Sequence, residues 1–314
     1  MFTRLSIPTP FAVGPVNAYL AGRTVVDPGP GSEEAWTDLL AGLEEHGLTA
    51  PDVERVVVTH PHPDHFGLAK RLREAGAEVF ASPDCAKIIA DFAARLEDEQ
   101  EYFTDFFERH GMAATTAETV TGLAEAYLSF APGVETDVPL DDGDTFAVDG
   151  VEVTAEAVAG HAPGERIFTF ETDGEQRAIV GDHVLGEITP NPLLQPPEDG
   201  ERPRVLPAYN RSLDRLRERG FGRLLPGHRE EISDPAGRIA DIRAAHEDRT
   251  ANVSDLLDGP TTAVEVMKGL FGDLPLTEYF PGMSEAVGHL DVLEERGEVE
   301  QSESGGLVVY EREP

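Results

Sequence analysis

The chain has 314 residues, 40% of them hydrophobic and 27% charged, a globular composition that excludes collagen-like, coiled-coil and wholly disordered proteins. Sixty Asp and Glu stand against 25 Lys and Arg, and the net charge of −35 is spread along the whole length. Such a shell argues against undirected nucleic-acid binding and predicts a halophilic protein adapted to a salt-rich cytoplasm.

No apolar run approaches the ~18 residues that span a bilayer, so no membrane association is expected. The N-terminus carries Pro8, Pro10 and Pro15 and lacks the apolar stretch of a signal peptide. Cys85 is the one cysteine, so neither a disulfide nor a thiolate metal cage can form within the chain.

In chain order, VNAYL and RTVVD read as short strands around a turn at Ala21-Gly22. Asp27 then enters a Pro/Gly loop. Ser32 is a good N-cap for a helix with Trp36, Leu39, Leu40 and Leu43 on its apolar stripe, stopped by Gly47. VERVVVTH reads as a buried strand. After it come the loop from His60 to His65, a helix over 66–76 and the strand AEVFA, which together make an α/β pattern.

Residues 84–131 interrupt that pattern as an aromatic-rich helical insert holding seven of the 22 aromatics. Phe103, Phe106 and Phe107 share one helical face, expected to form a lid over a substrate pocket. VEVTAEAV, RIFTFE and RAIVG return to strands, the last two joined at Asp173-Gly174. Residues 189–207 hold six prolines and read as an irregular loop, followed by the helix AYNRSLDRLRERG and the strand FGRLLPGH. Beyond about 249, two helices and a hairpin around Ser304-Gly305-Gly306 make a winged-helix pattern. The expected domains are 1–248 and 249–314.

Three of the ten histidines fall in the run His60-x-His62-x-Asp64-His65, directly after a strand. His161, Asp182 and His228 likewise follow apolar strands, and strand ends in α/β sheets gather ligand loops. Imidazole nitrogen and carboxylate oxygen suit Zn²⁺ and related ions. Seven such ligands exceed one zinc, whereas two ions sharing a carboxylate fit the count. His183 reads as a packing or hydrogen-bonding neighbour. His46, His110, His246 and His289 receive no role.

These residues resemble the metallo-β-lactamase superfamily in order and spacing over roughly residues 10–230. The match comprises Asp27, THPHPDHFG at 59–67, AGHAPGE at 159–165, GDH at 181–183 and PGH at 226–228. The resemblance implies a four-layer αβ/βα sandwich with a metal site at one edge. It implies that His60, His62 and His161 hold one ion, that Asp64, His65 and His228 hold a second, and that Asp182 bridges them. The two divalent ions would be Zn²⁺, with Mn²⁺ or Fe²⁺ as alternatives. Asp27 would fix the His loop by hydrogen bonds. Ala162 and Glu165 stand where the family more usually has Thr and His or Ser, and the scarcity of lysine disfavours glutathione thioesters.

The expected activity is hydrolysis of a small-molecule thioester, ester or lactone by a metal-bridging hydroxide, with Asp64 and Asp182 as catalytic residues. A thiolate leaving group needs no general acid, and the sequence names none. The competing activity is a phosphodiesterase or endoribonuclease. A DNA-binding wing is disfavoured, because residues 251–314 hold three basic against 14 acidic residues, 3 − 14 = −11. That segment is expected to pack on the core or form a homo-oligomer contact.

Overall fold

A computed structural model describes every residue except Asp199, in the expected proline-rich loop, and Pro314, in the expected C-terminal domain. The chain forms two compact units. The first comprises Met1–Phe92, Tyr127–Pro190 and Arg215–Ile239; the second comprises Ala93–Ala126, Asn191–Asp214 and Ala240–Pro314.

In the first unit a six-stranded sheet runs in simple order. Its strands are β1 (Thr3–Ile7), β2 (Val16–Ala21), β3 (Thr24–Val26), β4 (Arg55–Val57), β5 (Glu78–Ala81) and β6 (Val138–Pro139). The first three are antiparallel and β3 to β6 are parallel. All six β2 residues are buried, as are all three of β3, so these strands read as apolar runs rather than alternating ones. Helix α1 (Glu33–Glu45) lies against β1, and Ser32 Oγ accepts the Ala35 N–H at its start.

The helix expected over 66–76 is split into α2 (Pro63–Phe66) and α3 (Ala69–Glu74). The Leu68 N–H bonds to Gly29 O across the loop rather than back along a helix. A Cβ on Gly67 would lie 2.2 Å from both Gly31 N and Phe130 O, so the chain is pinned to its neighbours there. After β5 comes α4 (Pro83–Ala90), capped by Ser82 Oγ, which accepts the Cys85 N–H at 3.1 Å.

The second sheet holds β7 (Thr145–Val148), β8 (Val151–Ala157), β9 (Arg166–Thr172), β10 (Glu175–Gly181) and β11 (Arg223–Pro226), in the order β11-β10-β9-β8-β7. Asp173 and Gly174 both have positive φ, 54° and 74°, which is the tight turn that matches strand twist between β9 and β10. Tyr19, Val57 and Phe80 of the first sheet share a core with Val153, Phe168, Phe170 and Ile179 of the second, so the sheets pack face to face.

The second unit draws on α5 (Phe92–Arg109), α6 (Ala114–Gly122), α9 (Ala263–Phe271), α10 (Tyr279–Glu295) and the hairpin β12–β13 (Val299–Ser304, Leu307–Arg312). Helices α7 (Val205–Glu218) and α8 (Pro235–Asp255) each carry the chain from one unit to the other. The sequence boundary at 248/249 therefore falls inside α8, and most of the insert joins the C-terminal helices. The reason is apolar burial. Phe103 and Phe107 are 1% and 0% exposed and pack with Met267, Met283, Val287 and Leu290. These two rings are core, which overturns the expectation that their face is a lid. Among the described residues no helix is long and apolar enough to cross a membrane.

Candidate metal centre

The strand directions converge the motifs. β3, β4, β10 and β11 deliver Asp27, His60, Asp182 and His228 from their carboxyl ends, and β8 runs parallel to β10 and leads to His161. Two backbone bonds join the edges: Arg166 N–H to Thr59 O at 2.9 Å, and Gly227 N–H to Gly181 O at 2.7 Å. Gly227 must be glycine, because a Cβ would stand 2.3 Å from Asp182 Oδ1 and 2.7 Å from His65 Cε1.

Two side-chain sets result. In the first, His62 Nδ1 lies 3.1 Å from His60 Nε2 and 3.0 Å from His161 Nε2. In the second, His228 Nε2 lies 3.3 Å from Asp64 Oδ2, and His65 Nε2 lies 4.0 Å from the same oxygen. Asp182 stands between the sets. Its Oδ1 is 3.6 Å from His65 Nε2, and its Oδ2 is 3.7 Å from His161 Nε2 and 3.5 Å from His228 Nε2.

Hydrogen bonds behind the site fix the ring tautomers. Asp27 Oδ1 accepts the Thr59 N–H at 2.8 Å, and Oδ2 accepts the Thr59 hydroxyl at 2.6 Å and the His65 Nδ1–H at 2.9 Å. With its proton given to Asp27, Thr59 Oγ1 accepts from His60 Nδ1 at 2.9 Å. The His228 Nδ1–H donates to Pro15 O at 2.8 Å. In His60, His65 and His228 it is therefore Nε2 that faces the site. The Thr59 hydroxyl and the Pro15 carbonyl lie outside the sequence expectation. Thr59 adjoins the His run, which is a signal of a kind, but a backbone carbonyl leaves no trace in sequence.

The electrostatics divide the same way. Burial, reinforced by neighbouring rings, drives His60 well below the ordinary histidine range and His62 down to about 3. Burial is the largest single influence on His65 and His228 and opposes their charge, but the neighbouring carboxylates together outweigh it, Asp182, Asp27 and Asp64 at His65 and Asp182 and Asp64 at His228, so both are raised. The Asp182 carboxyl lies well below its usual range, because His228, His65 and His161 outweigh its burial. His183 donates Nδ1–H to Glu165 at 3.1 Å, so Glu165 is a buried partner rather than a substrate contact. His46, at the end of α1, bonds through Nδ1 to Gly42 O, and His110, His246 and His289 are buried in the second unit.

Comparison with known proteins decides the family. The sequence model of the metallo-beta-lactamase superfamily matches residues 12–228. The chain belongs to this superfamily. It is 31% identical to Probable metallo-hydrolase YqjP of Bacillus subtilis (strain 168), over 98% of this chain and 96% of that protein. A metallo-beta-lactamase family protein from Thermus thermophilus superposes with a TM-score of 0.82 at 29% identity, over 99% of this chain and 98% of that one. An Atrochrysone carboxyl ACP thioesterase of Cryptosporiopsis sp. (strain 8999) is 23% identical, over 83% of this chain and 64% of its own length.

As a superfamily member the chain is a metal-dependent hydrolase in type, and its donors fit metal ions. Among the described residues, three sets of side chains hold ligand atoms within 4.8 Å of one another: His60 with His62 and His161, Asp64 with His65 and His228, and Asp27 with His60 and His65. Asp27 and His65 Nδ1 already satisfy each other, which leaves the first two sets facing the site. His65 Nε2, His228 Nε2 and Asp182 Oδ1 are buried without a hydrogen-bond partner, a costly state that a cation relieves.

Proposed function

We propose that the protein is a dinuclear metal hydrolase of small-molecule thioesters, esters or lactones. The observation that carries this reading is Asp182, whose carboxylate reaches rings of both ligand sets, His161 of the first and His65 and His228 of the second. His60, His62 and His161 would hold one divalent ion, Asp64, His65 and His228 the other, with Asp182 shared. The mixed N/O donor set favours Zn²⁺, with Mn²⁺ and Fe²⁺ as alternatives.

When bound, such an ion pair supplies Lewis acidity and makes hydroxide available at neutral pH. The chain's own contribution is orientation. Asp27, through Thr59 and directly, fixes the rings of His60 and His65, and Pro15 fixes His228. Asp64, buried beside His228, would orient the nucleophile. Acyl thioesters are favoured because a thiolate leaves without a general acid. The distant relative named as an ACP thioesterase agrees with that substrate class. The helices α9 and α10 followed by the β12–β13 hairpin would make a winged-helix-like segment, and the net charge of −11 over residues 251–314 suits packing or self-association rather than nucleic acid.

The test is an assay at high salt with added Zn²⁺ or Mn²⁺, offering an acyl-thioester panel and a bare RNA strand side by side. Turnover of thioesters, lost in Asp182→Ala, supports the proposal. Cleavage of RNA alone overturns the acyl reading.

A further inference from the structure

The first unit keeps an aromatic group at its surface that the core does not use. Tyr127–Phe130, the part of the 3₁₀ segment Leu123–Phe130 that belongs to this unit, has no buried residue, although Tyr127, Leu128 and Phe130 are large and apolar. Tyr127 is 45% exposed, and Phe130 is half-buried. Both meet half-buried Phe11, from the loop between β1 and β2. Phe11 contacts Tyr127 at 5.2 Å and Phe130 at 5.6 Å between ring centroids, each edge-to-face.

Two routes tie this group to the metal centre. Phe11 lies four residues before Pro15, whose carbonyl accepts from His228, a distance of at most about 14 Å of extended chain. The intervening loop is closed on itself, with the Thr9 hydroxyl donating to Gly14 O at 2.7 Å and Gly14 N–H to Phe11 O at 3.1 Å. On the other side Phe130 O accepts the Gly31 N–H at 2.8 Å, and Gly67, directly after α2, is packed against both atoms. The rings thus sit on backbone that reaches His228 through the Pro15 hydrogen bond and packs against Gly67 beside the helix that carries His65.

We propose that Phe11, Tyr127 and Phe130 form the wall that binds the apolar acyl portion of the substrate and sets chain-length preference. This rests on the hydrolase reading above. It names the occupant: a linear acyl chain whose carbonyl lies at the metal centre. Exposed aromatic rings held on fixed backbone are the surfaces on which apolar ligand parts gain most, since little ordering cost remains.

The test uses the full-length, metal-loaded protein with p-nitrophenyl and N-acetylcysteamine acyl esters from two to twelve carbons. The readout is the ratio of kcat/KM for octanoyl over acetyl substrate. Phe11→Ala and Tyr127→Ala should each lower that ratio about tenfold. Tyr127 is largely exposed, so its loss should leave Tm nearly unchanged, whereas buried Phe107→Ala, outside the wall, should lower Tm. Calorimetric titration with octanoate and acetate adds a binding readout that needs no turnover. Octanoate should bind more tightly than acetate, and Tyr127→Ala should erase the difference.

If the wild type turns over no acyl substrate yet shows the octanoate preference, the hydrolase reading falls and the wall stands. An unchanged octanoyl-to-acetyl ratio together with an unchanged octanoate preference in both variants overturns the wall. So does sedimentation showing a dimer that Tyr127→Ala dissociates with chain preference intact, since the rings would then serve a second copy of the chain.

Discussion

The Glu165 carboxylate accepts the His183 Nδ1–H at 3.1 Å, and neither side chain is exposed. Glu165 lies four residues beyond His161, and His183 directly follows Asp182, so this contact ties the start of β9 to the end of β10. Removing the acceptor leaves a buried N–H that water cannot reach, at a cost of about 2–3 kcal/mol. Glu165→Ala should therefore melt early, and Glu165→Gln, which keeps an acceptor oxygen, should lose less. His183→Ala should cost stability while metal content stays near the wild-type value. Urea unfolding with elemental analysis on each variant checks both statements.

Asp27 holds two rings at once, His65 directly and His60 through Thr59. Its φ of 50° places it on a tight turn directly after β3. Asp27→Ala should leave all seven proposed ligands in place yet weaken metal affinity about 10–100-fold. Competition with a chromophoric chelator measures this. Elemental analysis of the wild type should give two ions per chain, and a ratio that stays at one after metal is added would remove the dinuclear reading.

Stability should fall as pH drops below the ordinary histidine range. In the second unit burial lowers His110 to about 4 and His246 to about 3. The unfolded chain takes up protons near pH 6.5, whereas the folded chain does not until far lower. Between those limits the unfolded state binds more protons, so acid favours it by up to about 1.4 kcal/mol per pH unit for each histidine. Urea unfolding at pH 7, 6 and 5 should show the decline, and the double variant His110→Gln/His246→Gln should flatten it. An equal slope in both proteins would exclude these two groups as its cause.

The site is more legible in the sequence than the fold. His60, His161, Asp182 and His228 follow the ends of short strands, and His62, Asp64 and His65 lie just beyond His60 at the start of α2, so the ligands form local patterns that survive in sequence. Strand order then brings the ends together without further information. The insert is hard to read for the opposite reason. Phe103 and Phe107 stand on one face of α5, but an apolar face does not say what covers it. Here the cover comes from Met267, Met283 and Val287, more than 150 residues later in the chain. The helix break at Gly67 is hidden likewise, because it depends on the remote Gly31 N–H and Phe130 O.

The last expectation concerns salt, where two effects oppose each other. Surface ion pairs such as Arg73–Asp137 at 2.8 Å and Arg211–Glu295 at 2.7 Å weaken as salt screens them. Each exposed pair contributes about 0–1 kcal/mol, so their loss is modest. Repulsion among the remaining acids relaxes at the same time. With 60 acidic against 25 basic side chains, 60 − 25 = 35 negative charges remain uncompensated, and their mutual repulsion is largest in the compact state. At molar salt the Debye length is about 3 Å, shorter than the spacing of most surface charges, so this repulsion is nearly removed. The second effect therefore wins, and Tm should rise from low salt to molar KCl. Replacing KCl with an equal osmolality of sucrose separates screening from general exclusion. A Tm that rises as much in sucrose, or not at all in KCl, would show that the acidic shell does not govern stability.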